Sequence, residues 1–468
     1  MNICTDRIKT IHFTGICGTA MGNVAVGLKK AGYIVTGSDS GVYPPMSDFL
    51  LENGIEILDF SPENVKNTDL VVIGNAIPRG NCEVEYVLNT KIPFASLPQV
   101  INSFFVRNKK LIMVTGTHGK TTTTSLIAFV LEKNGLNPSF LIGGVIPQLN
   151  TGFKHSENSK YFVLEGDEYD TAFFDKTSKF LKFIPDQLVI NYVEFDHGDI
   201  FSSMREIKDT FKKLLKICPS NSHIYLNRDH KTTYSLKKHC YSRVKTFGFS
   251  DKSNCKIKFN GYKNGKSIIE IQIEDKTSFV IHSKIPGEHN ARNIGAAFMV
   301  CYEIGIEPEK IVKTLEEFNG VKNRFEEYYF NEKNDSRIIL DFAHHPTAMA
   351  YTIKTTKEIF SQKKVIAIIE PATNTMRSGK FNKELYNLSN LTDKIVFLPV
   401  PSKKRHSVKD NFCPPQGESF IIVNNIKEFK NVIKMMENKG IVFLFMSNGS
   451  PFDYIEICKK HLKGKLND

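Results

Sequence analysis

The chain has 468 residues, of which 41% are hydrophobic and 24% charged; this balance indicates about three packed domains and excludes a disordered chain. Its nine scattered cysteines lack a Cys-x-x-Cys pair, and no stretch resembles a membrane span or a signal peptide, so we expect a cytoplasmic protein with reduced thiols, no structural zinc and no membrane partner. The net charge of +12 suits anionic ligands, and because the lysines do not form one block, it favours small phosphorylated molecules over nucleic acid.

The N-terminal part of the chain alternates between strand and helix patterns. Apolar runs at residues 8–14, 34–38 and 70–74 predict buried strands, and residues 21–31 have a helical pattern. A strand–helix–strand rhythm is typical of a parallel sheet, so the first domain is expected to be α/β.

A turn with three glycines follows the first predicted strand and opens the first helix. The glycines are Gly15, Gly18 and Gly22, and Asp39 ends the next strand. This resembles a dinucleotide-binding turn, but the usual Gly-x-Gly-x-x-Gly pattern fails at Cys17 and Ala20, which disfavours NAD. A diphosphate is still expected at the start of this helix, because N–H groups point outward there. The alternative is that the glycines only allow a tight turn.

A second glycine-rich turn predicts a nucleotide site. An apolar run at 111–114 precedes it, and a helical pattern at 123–133 follows it. The turn consists of Gly116, Thr117, His118, Gly119, Lys120, Thr121 and Thr122. It is a shortened P-loop, because Val114 stands where the general pattern has its first glycine. Lys120 is expected to reach the β- and γ-phosphates of ATP, and the Thr121 hydroxyl to bind Mg²⁺.

Acidic side chains follow the next two predicted strands. Residues 165–170 contain four of them, which need a cation or solvent nearby. Beside a P-loop we expect that cation to be Mg²⁺; the alternative is a solvated acidic loop. Residues 191–199 offer a second cluster, in which His197 stands beside Asp196 and Asp199 and is a candidate for a second Mg²⁺.

The rest of the chain predicts a small β-rich insert and another α/β domain. Polar–apolar alternation with Asn-Gly turns at 240–285 predicts hairpins. Strand patterns at 338–342, 365–369 and 442–446 alternate with helical ones, which again indicates a parallel sheet.

Five further residues are candidates for nucleotide contacts. Asn290 and Asn293 stand one helical turn apart, so their amides share a face and are candidates to read a purine, although asparagine near a helix start is often only a cap. Arg324 is a candidate phosphate clamp, with a surface ion pair as the alternative. Asp341 and His344 end a strand just before a helix, which is the usual ligand edge of an open α/β sheet.

In their order along the chain, these motifs resemble the Mur ligase family of ATP-dependent amide-bond synthetases. The resemblance covers nearly the whole chain and rests on the loop at Arg324 and on the motifs TGTHGKTTT, EGDEYD, EFDHGD, GEHNARN and DFAHHP. It implies an α/β protein of three domains. These are a Rossmann-like UDP-binding domain at 1–108, a central P-loop ATPase-type domain with the β insert at 109–322, and a Rossmann-like C-terminal domain at 323–468. The polar stretch 107–110 is the expected linker.

The resemblance also implies a reaction and a set of roles. UDP-N-acetylmuramate offers its lactyl carboxylate, ATP converts it to an acyl phosphate, and an amine attacks. Thr121 and Glu165 would hold one Mg²⁺, with Glu168 as the alternate to Glu165, and His197 would hold a second. The catalytic candidates are Lys120, Glu165, His197 and Arg324, and the ATP site adds Asn290, Asn293, Asp341 and His344.

The resemblance assigns UDP binding to residues near the N-terminus and peptide binding to residues of the C-terminal domain. The candidates for the UDP part are Gly15, Gly18, Gly22, Asp39, Asn75 and Arg79. The stretches GICGTAMG, VIGNAIPRGN and EPATNTMRSG are similar to the branch that joins the murein tripeptide L-Ala-γ-D-Glu-meso-diaminopimelate in cell-wall peptide recycling. The tripeptide carboxylates imply a basic pocket, for which Asn374, Arg377 and Lys380 are candidates. That branch usually carries arginine where Ala372 stands here.

Three alternatives accompany this interpretation. The amine substrate is free L-alanine in the neighbouring branch of the family. A nucleotide-regulated binding protein would hold ATP without amide chemistry. A Rossmann oxidoreductase is disfavoured by the failed dinucleotide pattern.

Overall fold

The computed structural model describes residues 3–42, 46–274, 277–400, 412–449 and 451–466. The chain divides into two units. The first comprises Met1–Val193, Ile207–Cys255 and Ala296–Thr314, and the second comprises Glu194–Glu206, Lys256–Gly295 and Leu315–Asp468. Across the described ranges, no helix combines the length and the apolar character that a membrane crossing requires.

The first unit begins with a five-stranded parallel sheet. Its strands are β1 (Thr10–Thr14), β2 (Ile34–Ser38), β3 (Ile57–Leu58), β4 (Leu70–Ile73) and β5 (Phe94–Ser96), and its helices are α1 (Thr19–Lys30), α2 (Met46–Glu52), α3 (Cys82–Thr90) and α4 (Leu97–Ile101). The order β3-β2-β1-β4-β5 confirms the predicted parallel sheet. Because the order reverses between β1 and β4, their carboxyl ends flank the crevice where open α/β sheets bind ligands.

The same unit contains the larger sheet that carries the P-loop. The elements of this region are β6 (Lys110–Thr115), α5 (Lys120–Lys133), β7 (Ser139–Ile146), β8 (Thr151–Lys154), β9 (Tyr161–Glu165), β10 (Asp170–Ala172), β11 (Asp175–Ser178), β12 (Gln187–Ile190), α6 (Met204–Ile217), β13 (His223–Asn227), α7 (Lys231–Ser235) and β14 (Arg243–Gly248). Strands β10 and β11 pair with each other as a separate two-stranded antiparallel sheet. Within the unit the sheet runs β14-β13-β12-β6-β9-β7-β8, with β8 antiparallel to β7. The strands predicted around the P-loop are confirmed. The central position of β6 explains why it is apolar and fully buried beyond Lys110.

The predicted linker at 107–110 is shorter at its C-terminal end than expected. Lys110 already pairs within β6, so only residues 107–109 lie before the strand. Lys109 is also anchored, since its Nζ donates to Ser139 Oγ at 2.9 Å and to the Ser156 carbonyl at 2.7 Å. The polar residues Lys109 and Lys110 therefore lie where a strand begins, and the Lys109 side chain is anchored there. Composition alone does not distinguish such a strand start from a linker.

The second unit contains the β insert. Its strands are β15 (Cys255–Lys263), β16 (Lys266–Ile273) and β17 (Ser278–Ser283), in the order β17-β16-β15. The antiparallel pairing of β16 with β17 and the alternating burial along β16 confirm the predicted hairpins. Two helices follow and contribute to both units, α8 (Glu288–Ile304) and α9 (Pro308–Glu317).

The second unit also contains a six-stranded sheet with helices on both faces. Its elements are β18 (Glu326–Asn331), β19 (Ser336–Asp341), α10 (Pro346–Ile359), β20 (Lys364–Ile369), α11 (Asn374–Arg377), α12 (Asn382–Asn387), β21 (Lys394–Phe397), β22 (Phe420–Ile422), α13 (Ile426–Lys434), β23 (Ile441–Met446) and α14 (Phe452–Leu462). The order is β18-β19-β23-β20-β21-β22, with only β18 antiparallel among these strands. Alternate residues of β23 enter two separate cores, which explains its unbroken apolar sequence.

Candidate functional site

The P-loop between β6 and α5 has a backbone shape that depends on glycine. Gly116 has φ +120° and Gly119 has φ +78°, both in the left-handed region. A Cβ at Gly116 would lie 2.5 Å from the Tyr192 carbonyl oxygen. The Thr117 N–H donates to the same carbonyl at 2.7 Å, so the segment after β12 supports the loop. Because α5 begins at Lys120, its first turn directs N–H groups into the loop, as anion binding requires.

Lys120 forms a buried ion pair with one of the predicted acidic residues. Its Nζ lies 2.7 Å from Glu168 Oε2, and the two side chains are 14% and 5% exposed. Burial lowers the pKa of Lys120, but the negative charges of Glu168, Asp167 and Glu165 outweigh burial and raise it. The lysine is therefore charged, and the phosphates of a bound nucleotide would compete with Glu168 for it.

Thr121 and Glu165, both predicted to bind Mg²⁺, contact each other. The Thr121 hydroxyl donates to Glu165 Oε1 at 3.0 Å, and the Gly143 N–H donates to Glu165 Oε2 at 2.7 Å. Hydroxyl and carboxylate oxygens are the ligands that Mg²⁺ prefers, so this pair fits the predicted first ion beside the P-loop. His197 belongs to the second unit, and its role with a second ion stays a prediction.

The N-terminal glycine turn lies at the carboxyl end of β1. The N–H groups of Gly15 and Ile16 donate to the Ser38 carbonyl at 2.8 and 3.1 Å, and Asp39 Oδ2 accepts the Cys17 N–H at 2.8 Å. The turn is thus fixed by the end of β2, with Asp39 as a second anchor. Asn75 follows β4 at the same edge of the sheet, because the Gly74 N–H donates to the Thr14 carbonyl at 3.0 Å.

Two of the predicted UDP contacts have other partners in this structure. Gly22 is buried inside α1, where a Cβ would clash with Met46 Sδ, so this glycine serves close packing within the helix, and its contact with UDP stays a prediction. Arg79 is exposed and forms a two-fold contact with Glu85, with Nε–Oε1 and Nη2–Oε2 distances of 2.8 and 2.9 Å. The contact between Arg79 and UDP stays a prediction that requires Glu85 to be exchanged for the ligand.

A buried polar network that no sequence motif indicated joins Glu83 of α3 to the ends of β1 and β2. Glu83 is 0% exposed, and its Oε2 accepts the hydroxyls of Thr14 and Ser38 at 2.8 and 2.7 Å. His12 is also 0% exposed, with Nε2 3.4 Å from the same oxygen. Burial raises the pKa of Glu83, but hydrogen bonds from His12, Ser38 and Asn64 outweigh it and lower the pKa to about 2. The network therefore holds a carboxylate at the ends of β1 and β2.

We expect Glu83→Gln to lower the melting temperature at pH 7, because the amide nitrogen would face hydroxyl donors in a buried site. The folded pKa lies below the ordinary value of 4.5, so the ionised carboxylate stabilises the fold above about pH 4.5 and this contribution disappears as the pH falls towards 2. The difference in melting temperature between wild type and Glu83→Gln should therefore shrink between pH 7 and pH 3.

Glu85→Gln is the matched control on the same helix. The pKa of Glu85 is also lowered to about 2, first by its hydrogen bond to Arg79, but the pair is on the surface. Exposed ion pairs contribute little, so the control should hardly change the melting temperature at either pH. If the difference in melting temperature between wild type and Glu83→Gln did not change with pH, the charge of the Glu83 carboxylate would have no part in the network.

Asn290 and Asn293 share a face of α8, as predicted. Asn293 Nδ2 donates to Asn290 Oδ1 at 3.0 Å, and Asn290 Nδ2 donates to the Pro286 carbonyl at 2.7 Å. The two side chains are 7% and 5% exposed, and a contact with adenine stays a prediction. On the same turn of the helix, the His289 ring stacks on Tyr351 with centroids 5.7 Å apart.

Arg324 and Asp341 meet at the carboxyl end of β19. Asp341 is buried and its Oδ2 accepts the Phe325 N–H at 2.8 Å, which holds Phe325 at φ +49°. The Arg324 guanidinium lies 4.5 Å above the Phe342 ring. Burial raises the pKa of Asp341, and the charge of Arg324 and backbone hydrogen bonds oppose it. The structure thus explains Asp341 as the anchor of the Arg324 loop, whereas a contact with ATP stays a prediction.

His344 is a neutral imidazole in this unit. Its Nδ1 lies 2.9 Å from the Phe342 carbonyl and its Nε2 4.0 Å from Asp196 Oδ2. Burial lowers the pKa of His344 to about 4, although the charge of Asp196 raises it. The ring can therefore donate or accept a hydrogen bond near pH 7, but it carries no charge.

The predicted basic pocket for the peptide stays a prediction, and two of its candidates contact other residues of the second unit. Arg377 is 0% exposed, so its guanidinium presents no surface to a peptide, and Ala372 is buried at 1%. Asn374 Nδ2 donates to Asp199 Oδ2 at 3.0 Å, and Lys380 Nζ lies 4.6 Å from the centre of the Phe195 ring. Asn374 and Lys380 thus contact the segment around His197. Because that segment is distant from them in sequence, composition could not indicate these contacts.

The two sheets of the first unit, with a P-loop after the central strand, define the class as an ATP-binding α/β protein. Three family domains match the chain in order: "Mur ligase family, catalytic domain" over 10–108, "Mur ligase middle domain" over 114–301 and "Mur ligase, glutamate ligase domain" over 323–449. The chain belongs to the Mur ligase family and is therefore an ATP-dependent amide ligase of peptidoglycan metabolism. The predicted three-domain α/β fold is confirmed, and the boundaries at 108 and 322 stay predictions.

Similar proteins come from two branches of the family. The UDP-N-acetylmuramate–L-alanyl-gamma-D-glutamyl-meso-2,6-diaminoheptandioate ligase of Haemophilus influenzae is 35% identical over 457 residues, which is 95% of this chain and 97% of that protein. The UDP-N-acetylmuramate–L-alanine ligase of Acetivibrio thermocellus is 31% identical over 458 residues, 96% and 93% of the two chains. The crystal structure of a murein peptide ligase from Psychrobacter arcticus has 29% identity and a TM-score of 0.74, and covers 98% of this chain and 99% of its own.

Proposed function

We propose that this ligase joins the lactyl carboxylate of UDP-N-acetylmuramate to the amine of L-Ala-γ-D-Glu-meso-diaminopimelate in cell-wall peptide recycling. The observation that carries the proposal is the convergence of Lys120 and Thr121 with Glu168 and Glu165 at the P-loop, which suits transfer of a γ-phosphoryl group. The choice of tripeptide is supported by the 35% identity to the H. influenzae ligase over 95% of this chain.

The proposed chemistry has two steps. A carboxylate oxygen of the sugar attacks the γ-phosphorus, the bond to the β-phosphate oxygen breaks, and ADP leaves. The amine nitrogen then attacks the acyl carbon, phosphate leaves with the electrons of the C–O bond, and the amine loses a proton. The protein needs no covalent nucleophile, so its contribution is positioning and charge neutralisation.

The residues of the P-loop serve the first step. Lys120 and the N–H groups at the start of α5 bind and neutralise the β- and γ-phosphates. Thr121 and Glu165 would hold Mg²⁺, which supplies additional positive charge at the phosphates when bound. The further candidates keep their predicted roles. Those for ATP are Asn290, Asn293, Arg324, Asp341 and His344, and those for UDP are the N-terminal turn, Asp39, Asn75 and Arg79.

We also propose domain boundaries at 108/109 and 322/323. We further propose a cytoplasmic reaction, because ATP and UDP-linked precursors are cytoplasmic metabolites.

The second candidate function is addition of free L-alanine to the same carboxylate. It is favoured by the 31% identity to the L-alanine ligase of A. thermocellus over 96% of this chain.

A phosphate-release assay with UDP-N-acetylmuramate, ATP, Mg²⁺ and a panel of amines tests both candidates. We expect the tripeptide to give a kcat/KM roughly 10²-fold or more above that of L-alanine, because a site that binds the extra carboxylates loses those interactions with the smaller amine. A higher kcat/KM for L-alanine would transfer the chain to the L-alanine-adding branch. If no amine raised phosphate release, amide ligation itself would be refuted.

A further inference from the structure

The segment that carries His197 contacts side chains from the N-cap of α10, from α11 and from the residues after α11. The His345 Nε2 lies 3.1 Å from the Phe195 carbonyl oxygen. Because the Thr347 N–H donates to His345 Nδ1 at 3.2 Å, Nδ1 is the acceptor and Nε2 carries the proton that His345 donates to Phe195. Lys380 Nζ lies over the ring of the same phenylalanine. We call residues 194–199 the His197 loop.

Thr375 binds the His197 loop on both sides of the histidine. Its hydroxyl accepts the Gly198 N–H at 3.0 Å and donates to Asp196 Oδ1 at 3.2 Å. The same oxygen of Asp196 accepts the His197 N–H at 2.7 Å. Thr375 is 2% exposed, so these hydrogen bonds are shielded from water. One buried hydroxyl thus connects the residue before His197 with the residue after it.

His197 itself has a conformation that needs such support. Its φ is +53°, in the left-handed region that is costly for a residue other than glycine. Asn374 Nδ2 donates to Asp199 Oδ2 at 3.0 Å, which holds the far end of the loop. A Cβ at Gly198 would lie 3.3 Å from Lys380 Nζ and 3.4 Å from Thr375 Cγ2, so the loop packs closely on these side chains.

We propose that Thr375 and Asn374 are positioning residues that fix the His197 loop, and that for Asn374 this role replaces the predicted contact with the peptide. The proposal deepens the proposed function and rests on it for the activity measurement, because His197 is the predicted ligand of a second Mg²⁺. Residues that orient a metal ligand from behind typically change metal affinity or activity by about 10- to 100-fold when they are replaced.

The first test is hydrogen exchange in the full chain without nucleotide or metal. Thr375→Val keeps the shape of the side chain but removes both hydrogen bonds. We expect the amides of residues 194–201 to exchange about 10-fold faster or more, because a buried hydrogen bond to a carboxylate is lost. Thr375→Ser keeps the hydroxyl and should exchange like the wild type.

Thr356→Val is the matched control, because Thr356 is equally buried but its hydroxyl donates to the Thr352 carbonyl within α10, at 2.8 Å. It should leave exchange at 194–201 unchanged. Asn374→Ala removes an exposed hydrogen bond and should accelerate exchange at Asp199 in a folded protein even if Thr375→Val unfolds.

The second test is the Mg²⁺ dependence of turnover. We expect Thr375→Val to raise the Mg²⁺ concentration for half-maximal activity by about 10- to 100-fold, with an unchanged KM for UDP-N-acetylmuramate. Wild-type exchange in both Thr375→Val and Asn374→Ala, together with a raised KM for the tripeptide, would overturn the proposal and make these residues peptide contacts. If the wild-type enzyme showed no turnover, the proposed function would be refuted instead. The hydrogen-exchange experiment would still test whether Thr375 and Asn374 position the His197 loop.

Discussion

Replacement of Lys120 by alanine should reduce amine-dependent phosphate release by roughly 10³-fold or more, because it removes the positive charge that the proposed mechanism places at the β- and γ-phosphates from the P-loop. The lysine is the first residue of α5, so the N–H groups of the loop and the metal ligands remain in place. Single-turnover and steady-state rates should both fall, since the loss affects the phosphoryl transfer itself. Turnover within about ten-fold of the wild type would contradict the assigned role of Lys120.

The control for this experiment must account for Glu168. Loss of Lys120 leaves a buried carboxylate without its cation, which is destabilising. The melting temperature is therefore measured alongside, and the double variant Lys120→Ala/Glu168→Gln should recover stability but not activity. Lys133→Ala removes an exposed lysine from the last turn of the same helix and should keep both.

Gly116→Ala is expected to cause the largest loss of stability among single-methyl additions to the P-loop. The added Cβ would lie 2.5 Å from the Tyr192 carbonyl oxygen and 2.8 Å from the Tyr192 nitrogen, and neither backbone atom can rotate away. The φ of +120° adds backbone strain. Together we expect a loss of at least about 3 kcal/mol in the free energy of unfolding and phosphate release near background, because the loop must move away from the segment after β12.

Gly135→Ala separates the two causes. Gly135 follows α5, has φ +78°, and a Cβ there would have no atom within 4 Å. This variant tests backbone strain without a clash and should lose only about 1 kcal/mol with full activity. Equal losses of melting temperature in Gly135→Ala and Gly116→Ala would show that the contact with Tyr192 is not what requires glycine in the P-loop.

The candidate ATP site could be predicted because its signals are local. The strand, the glycine turn and the helix of the P-loop are contiguous in sequence, and β9 and β12 each place polar residues at the carboxyl edge next to β6. Parallel neighbours share that edge, so the contacts of Lys120 with Glu168 and of Thr121 with Glu165 follow from strand pairing. The N-terminal turn was also predicted from a local strand–turn–helix pattern, whereas Asn75 was assigned from the family resemblance.

The contacts that the sequence did not indicate join side chains that are distant from each other in sequence. The Glu83 carboxylate is bound by Thr14, 69 residues away, and Thr375 is bound to Asp196, 179 residues away. A polar residue next to a helix start is compatible with solvent, with a ligand or with a buried network, and composition does not distinguish them. The contact of Arg377 with the peptide stays a prediction, and it must account for a side chain that is completely buried in this structure.

The sequence by itself determined the three-domain α/β order, the P-loop and the family, because periodicity and motif spacing are properties of contiguous residues. The tertiary structure alone decided which polar side chains are buried and which residues they bind, above all the contacts of Glu83 with the ends of β1 and β2 and of Thr375 with the His197 loop. The physical reason is that a buried polar group must be satisfied by whatever donors and acceptors the fold brings near it, and that neighbourhood is set by how strands and helices pack.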